Sequence, residues 1–267
     1  PADALFDQRR PMMTDTTAPA LQTRDLTIRF GGHVAVDSVT YDFRPGCLVA
    51  IVGPNGAGKT TYFNLISGQL RASAGTVIHQ GEDITRLPVP ERTRRGIGRA
   101  FQLTNLFPRL SVLENVRLAI QARHPGAMDL FRLADADKSA IETAMSYIER
   151  CGLAARRNEP AANLSHGDQR KLEVALLLAL ESSIVMFDEP TAGMSADEAP
   201  IILELIQSIK SDARKTIILV EHKMDVIRSL ADEIMVLHNG QLVAAGVPAE
   251  VMKSDVVRDA YLGTMGH

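Results

Sequence analysis

The chain has 267 residues, 45% of them hydrophobic, and a formal net charge of −3, which suits one large domain or a core with an inserted subdomain. It has no Lys/Arg block and no basic excess to neutralise a phosphate backbone, so nucleic acid is excluded as the expected partner. Its two cysteines, Cys47 and Cys151, have no CxxC or Cys/His spacing for a metal and read as reduced thiols of a cytoplasmic protein, Cys47 simply packed.

Residues 1–20, PADALFDQRRPMMTDTTAPA, are rich in Pro, Thr and Asp and lack the apolar centre of a signal peptide, so a loose tail is expected. The chain opens on Pro, which makes Met12 or Met13 a candidate natural start and residues 1–11 upstream sequence. LTIRF (26–30) and SVTYDF (38–43) alternate as half-buried strands do, and CLVAIV (47–52) is continuously apolar like a buried one. GPNGAGKTT (53–61) follows, then YFNLISGQL, which has helical spacing.

From about 101 to 182 the pattern is helical, with Ile141, Ala144, Met145 and Ile148 at i, i+3, i+4, i+7 and a further apolar helix expected over 169–181. IVMFD (184–188), TIILVE (216–221) and EIMVLH (233–238) then read as buried strands separated by helices, the pattern of a parallel α/β sheet. The longest apolar runs, such as VALLLAL (174–180), fall far below the ~20 residues that span a bilayer. A membrane role therefore requires a partner.

Gly53, Gly58, Lys59 and Thr60 fit G-x-x-x-x-G-K-[ST] between a buried strand and a helix, the context of a phosphate-binding loop. Gly56 and Gly58 allow the backbone to curl with its N–H groups inward, and the positive end of the next helix points to the same spot. Lys59 supplies charge to the β- and γ-phosphates, and the Thr60 hydroxyl is a Mg²⁺ ligand. Asp188 ends an apolar strand where it can reach that metal through water, and Glu189 beside it can orient or deprotonate water. DEP also suits a plain strand end followed by a proline turn. In LSHGDQR (164–170), Ser165 caps a helix and Gly167 admits close approach, which makes a second anion site or only a satisfied N-cap.

With these motifs in this order, residues 21–263 resemble the ATP-binding subunits of ABC transporters. GPNGAGKTT resembles the Walker A loop, Gln102 in RAFQ the Q-loop, LSHGD the LSGGQ signature, IVMFDE Walker B, and His222 in VEH the switch histidine. Phe30, before the Gly-Gly pair, is similar to the aromatic that stacks on adenine, although by itself an aromatic at a strand end is more often packing. The resemblance implies an α/β fold: a P-loop NTPase (RecA-like) core with an antiparallel β subdomain and an α-helical subdomain inserted at 101–170. Residues 264–267 would be a second tail.

The resemblance also implies ATP and Mg²⁺. ATP would be held by Phe30, by Gly53, Pro54, Asn55, Gly56, Ala57, Gly58, Lys59, Thr60 and Thr61, and by Ser165 and Gly167 of a partner subunit. The metal would be held by Thr60, Gln102 and Asp188, and catalysis would fall to Glu189, His222, Lys59 and Gln102. Two such subunits, identical or paralogous, would pair head to tail on the cytoplasmic face of the cell membrane. They would serve a permease and, through it, a solute-binding protein. Leu106 and Phe107 are candidates either for the permease-docking face or for the core of the helical subdomain.

RAFQLTNLFPRLSVLENV, FDEPTAGMS, EHKMDVI and AYLG resemble the subgroup for branched-chain amino acid and urea uptake. His166, Asp168 and Ser195 depart from the common family pattern, which puts their contacts across the dimer in question. A soluble ABC ATPase acting on chromosomes or ribosomes is the rival reading. The stretch from Gln102 to Leu164 is too short for a long coiled coil, and only one motif set is present. Glu189 and His222 are both intact, which opposes a subunit that binds ATP without hydrolysing it, and LSHGDQ with VEH excludes a small P-loop kinase.

Overall fold

A computed structural model describes residues 18–100, 106–123, 133–254 and 257. The described chain opens with a hairpin of β1 (Leu21–Phe30) and β2 (His33–Phe43), turned at Gly31 and Gly32. Next comes β3 (Leu48–Val52), buried throughout, which leads through residues 53–58 into α1 (Lys59–Ser67). After it lie β4 (Ala74–His79), β5 (Glu82–Asp83), α2 (Val89–Arg94) and β6 (Ile97–Ala100). Helices α3 (Val112–Ala122), α4 (Leu133–Arg150) and α5 (His166–Ala179) follow. The remainder alternates as β7 (Ile184–Asp188), α6 (Ala199–Lys210), β8 (Thr216–Val220), α7 (Met224–Leu230) and β9 (Glu233–His238), then β10 (Gln241–Gly246) and α8 (Pro248–Val251).

Two sheets result. A four-stranded antiparallel sheet runs β2-β1-β4-β5, and a six-stranded sheet runs β10-β9-β3-β8-β7-β6. All neighbours in the second are parallel except the β10 edge. Its central strands β3, β7 and β8 are buried on both faces, which is why they read as unbroken apolar runs. Alternate residues serve opposite layers. Ile184, Met186, Ile218 and Val220 pack with Tyr62 and Phe63 of α1, while Val185, Phe187, Ile217 and Leu219 pack with Leu172 and Ala175 of α5.

The helical segment is built from α3, α4 and α5 packed together. Ser111 starts α3 by accepting a hydrogen bond from the Glu114 N–H, and Ser165 starts α5 in the same way from Asp168. That cap sets the start of α5 three residues before the span expected from apolar spacing. On α4, Ala144 and Ile148 are buried and Met145 packs against the core as expected, but Ile141 is 38% exposed while Ala140, and Cys151 just past the helix, are buried. Small alanines seat this helix against α3 and α5, so the contact stripe is rotated towards them. No helix among the described residues is long and apolar enough to cross a membrane.

Candidate active site

β3, β8 and β7 are neighbours in the sheet, with Ile51 beside Val220 and Val220 beside Asp188. Their carboxyl ends therefore bring together three segments far apart in the chain: residues 53–58, Asp188–Glu189 and Glu221–His222. Ligands in open α/β sheets bind at this edge.

The loop at 53–58 is shaped by glycine at two places. A Cβ on Gly53 would stand 2.1 Å from the Leu237 carbonyl oxygen, and one on Gly58 would stand 2.4 Å from that of Ala35. Gly58, at φ 93°, is also the N-cap of α1, so the helix begins at Lys59 with its first N–H groups facing the loop. The Lys59 ammonium donates to the carbonyls of Gly53 at 2.7 Å and Pro54 at 2.8 Å. Burial pulls its pKa below the usual lysine value, opposed by the charges of Glu189 and Asp188.

A cleft of about 410 Å³ opens above this loop, lined by residues 55–61, Phe30, His33, Ala35, Glu189 and His222. Phe30 stands at its rim, 50% exposed, so it does not serve as core packing. Its hairpin partner is His33, set opposite by the Gly31–Gly32 turn. That neighbour escaped the sequence reading, although the Gly-Gly pair carried the signal for it.

Asp188 and Glu189 face different environments. Asp188 is 3% exposed at the end of β7, and burial raises its carboxyl above the usual aspartate value, opposed by Arg99. Glu189 adopts a left-handed backbone at φ 49°, which costs about 1–2 kcal/mol in a non-glycine residue, with its N–H bonded to the Val220 carbonyl at 2.9 Å. Its side chain turns out of the strand into the cleft and meets His222, Nε2 to Oε1, at 2.7 Å. The arrangement offers a carboxylate able to take a proton from water and an imidazole that orients it. Behind it, the Thr191 hydroxyl donates to the buried Glu221 carboxylate at 3.0 Å.

The Thr60 hydroxyl and the Asp188 carboxylate are the hard oxygen donors that suit Mg²⁺. No group of three His, Cys, Asp or Glu that could hold a metal occurs among the described residues. This donor set fits a cation held chiefly by phosphates and water, with one or two protein oxygens. Gln102 lies outside the described residues.

Ser165 and Gly167 do not line the cleft, so the two candidate anion sites of a single chain lie apart. The Ser165 hydroxyl accepts from the Asp168 N–H at 3.1 Å. At Gly167 a Cβ would stand 2.5 Å from the end of the flexible Glu198 side chain, which would have to swing aside. Glu198 in turn accepts hydrogen bonds from the Ser195 N–H and hydroxyl. The Asp168 carboxylate is turned to its own subunit, bonded to Arg156 at 3.0 Å and Lys171 at 2.8 Å. Ser165 and His166 are left as the exposed side chains of this helix start. Leu106 and Phe107 divide: Leu106 packs against the core, whereas Phe107 is 55% exposed.

A phosphate loop after the first parallel strand, an acidic pair at the end of β7 and a histidine after β8, which lies between them, define a P-loop nucleoside triphosphatase. A family model described as ABC transporter matches residues 36–192. High-affinity branched-chain amino acid transport ATP-binding protein LivG of Escherichia coli K12 is 35% identical over 250 residues, covering 92% of this chain and 98% of that protein. BraF of Pseudomonas aeruginosa, of the same description, is 35% identical over 251 residues, covering 92% and 98%. The ADP conformation of MJ1267, an ATP-binding cassette of an ABC transporter, superimposes with a TM-score of 0.78 at 29% identity, covering 92% of this chain and all of that one. The dimeric cassette MJ0796 gives 0.73 at 26% identity, covering 85% and 98%. The chain belongs to the ABC transporter family, as one of its ATP-binding, ATP-hydrolysing cassettes.

Proposed function

We propose that this cassette powers an importer of branched-chain amino acids, with ATP hydrolysed between two subunits. The observation that carries the catalytic part is the Glu189–His222 pair at 2.7 Å, set over the phosphate loop in the cleft that has Phe30 at its rim. Phe30 stacks on the adenine. Gly53 to Thr61 wrap the phosphates, with the Lys59 ammonium on the β- and γ-groups. Bound Mg²⁺ would neutralise phosphate charge, held by Thr60 and Gln102 and, through water, by Asp188. Glu189 accepts the proton of the attacking water, and His222 orients the carboxylate and meets the γ-phosphate. Ser165 and Gly167 of a second subunit, a copy or a paralogue, close the site from the far side.

The exposed Phe107 marks the docking face for a permease, which puts the cassette on the cytoplasmic side of the membrane as a peripheral subunit. A solute-binding protein acts through that permease. The names of the similar proteins support branched-chain amino acids over urea or short amides, and the cassette itself does not touch the solute. Purifying the intact complex and measuring ATPase stimulation by leucine and by urea in turn decides the solute. Stimulation by urea alone would overturn the assignment, and absence of any membrane partner would favour a soluble ATPase.

Glu189→Gln tests the chemistry. Hydrolysis should slow by the ~10²–10⁴-fold that a general base contributes, while ATP binding persists and an ATP-bound dimer accumulates on size exclusion. Near-normal phosphate release by this variant would remove Glu189 from the role of base.

A further inference from the structure

Arg99 belongs to the edge strand β6, yet its guanidinium lies beneath the active site. It sits 4.7 Å over the ring of Phe63. Nη1 donates to Asn64 Oδ1 at 2.6 Å and to Ser67 Oγ at 3.0 Å, and Nη2 faces Asp188 Oδ2 at 3.3 Å. The pair is enclosed, with the arginine side chain 11% and the aspartate side chain 2% exposed. Three residues of α1 thus hold the guanidinium from one side and present its other nitrogen to the carboxylate.

Two physical consequences follow from this geometry. Removing one member of a buried ion pair leaves the other charge uncompensated, which is far more costly than removing both. A cation already seated on a carboxylate also weakens the attraction of that carboxylate for a second cation, most strongly where water is scarce. We infer that Arg99 is the positioning residue and resident counter-ion of Asp188: it fixes the carboxylate against α1 and limits how strongly the site takes a divalent cation. The inference rests on the reading of Asp188 as the metal carboxylate.

The test compares ADP affinity of the full chain by calorimetry in EDTA and in Mg²⁺, together with thermal unfolding in EDTA. Arg99→Gln should unfold at lower temperature without metal, and its gain in ADP affinity on adding Mg²⁺ should exceed that of the wild type about tenfold, the scale of a partly screened Coulomb repulsion. Arg99→Lys, which keeps the charge, should keep the wild-type gain. An unchanged or smaller gain in Arg99→Gln would overturn the inference, leaving Arg99 as packing between β6 and α1 or as an aid to metal binding.

If Arg99→Gln does not fold, the Arg99→Gln/Asp188→Asn double variant should recover stability, because no lone buried charge remains; failure to recover it counts equally against the inference. Asp188→Asn alone separates the two claims. If its Mg²⁺ gain equals that of the wild type, the metal role of Asp188 has failed. If it loses the gain while Arg99→Gln matches the wild type, only the counter-ion role has.

Discussion

Beside the Glu189–His222 pair, the Glu221 residue is 2% exposed and its carboxylate accepts from the Thr191 hydroxyl at 3.0 Å. Burial raises its pKa above the ordinary glutamate value of 4.5, so the folded chain holds this proton more tightly than the unfolded chain does. The stabilisation from that proton is complete below 4.5 and is lost as pH rises through the higher native value, so ionised Glu221 weakens the fold at neutral pH. Glu221→Gln keeps an acceptor for Thr191 and removes the charge. Its melting temperature should exceed that of the wild type at pH 7.5 and approach it at pH 4. A variant less stable at both pH values would show that the carboxylate is needed for its bonds.

Among the elements, the loop from 106 to 111 is held by backbone bonds to residues 161 and 162 and by one side chain of α3. Asn115 is 1% exposed. Its amide donates to the carbonyls of Phe107 at 3.1 Å, Leu110 at 3.2 Å and Ser111 at 2.9 Å, and accepts from the Phe107 N–H at 2.8 Å. The Phe107 and Leu110 carbonyls also accept from the N–H groups of Leu110 and Ala161, so Asn115 reinforces backbone bonds already present and gives the Phe107 N–H its partner. Asn115→Ala should cost about 2–3 kcal/mol, since each bond contributes of order 1 kcal/mol or less when several share one group. It should also speed hydrogen exchange at the Phe107 amide and weaken capture of the permease. Urea unfolding within about 0.5 kcal/mol of wild type, the scatter of a neutral surface change, would refute the pinning role. Arg92 plays a comparable part at the end of α1, where its guanidinium meets the carbonyls of Leu65 and Ile66 at 2.7 and 2.6 Å and satisfies groups that the helix leaves open.

For the whole molecule, the separation of Ser165 and Gly167 from the cleft sets the expected kinetics. A site completed by a second subunit is populated in proportion to dimer, so ATPase turnover per subunit should rise with protein concentration before reaching a plateau. Ser165→Ala should lower that plateau while leaving ATP binding by the isolated subunit intact. Turnover independent of concentration, at dilutions where sedimentation shows monomer, would place the full catalytic set within one chain. Within the subunit, the Glu198 side chain, bonded to Ser195, lies beside Gly167 at the start of α5.

By itself the sequence determined what short-range chemistry can encode. The strand–loop–helix at 47–67, the apolar strands ending at Asp188 and Val220, and the Ser165 cap all rest on residues a few positions apart, where spacing and backbone preference decide the outcome. β6 and β10 carried no such sign, because IGRA is a four-residue segment broken by Gly98 and Arg99, and QLVAAG is a partly buried edge strand with only four small or medium apolar residues and no alternation. The exposure of Ile141, the side of Phe107 and the facing of Phe30 by His33 depended on which neighbours arrived. Only the tertiary structure decided that Arg99 meets Asp188 and that Gly167 has Glu198 where a side chain would go. Such contacts join residues distant in the chain, and they exist because the order of strands, not the order of residues, sets which strand ends share an edge.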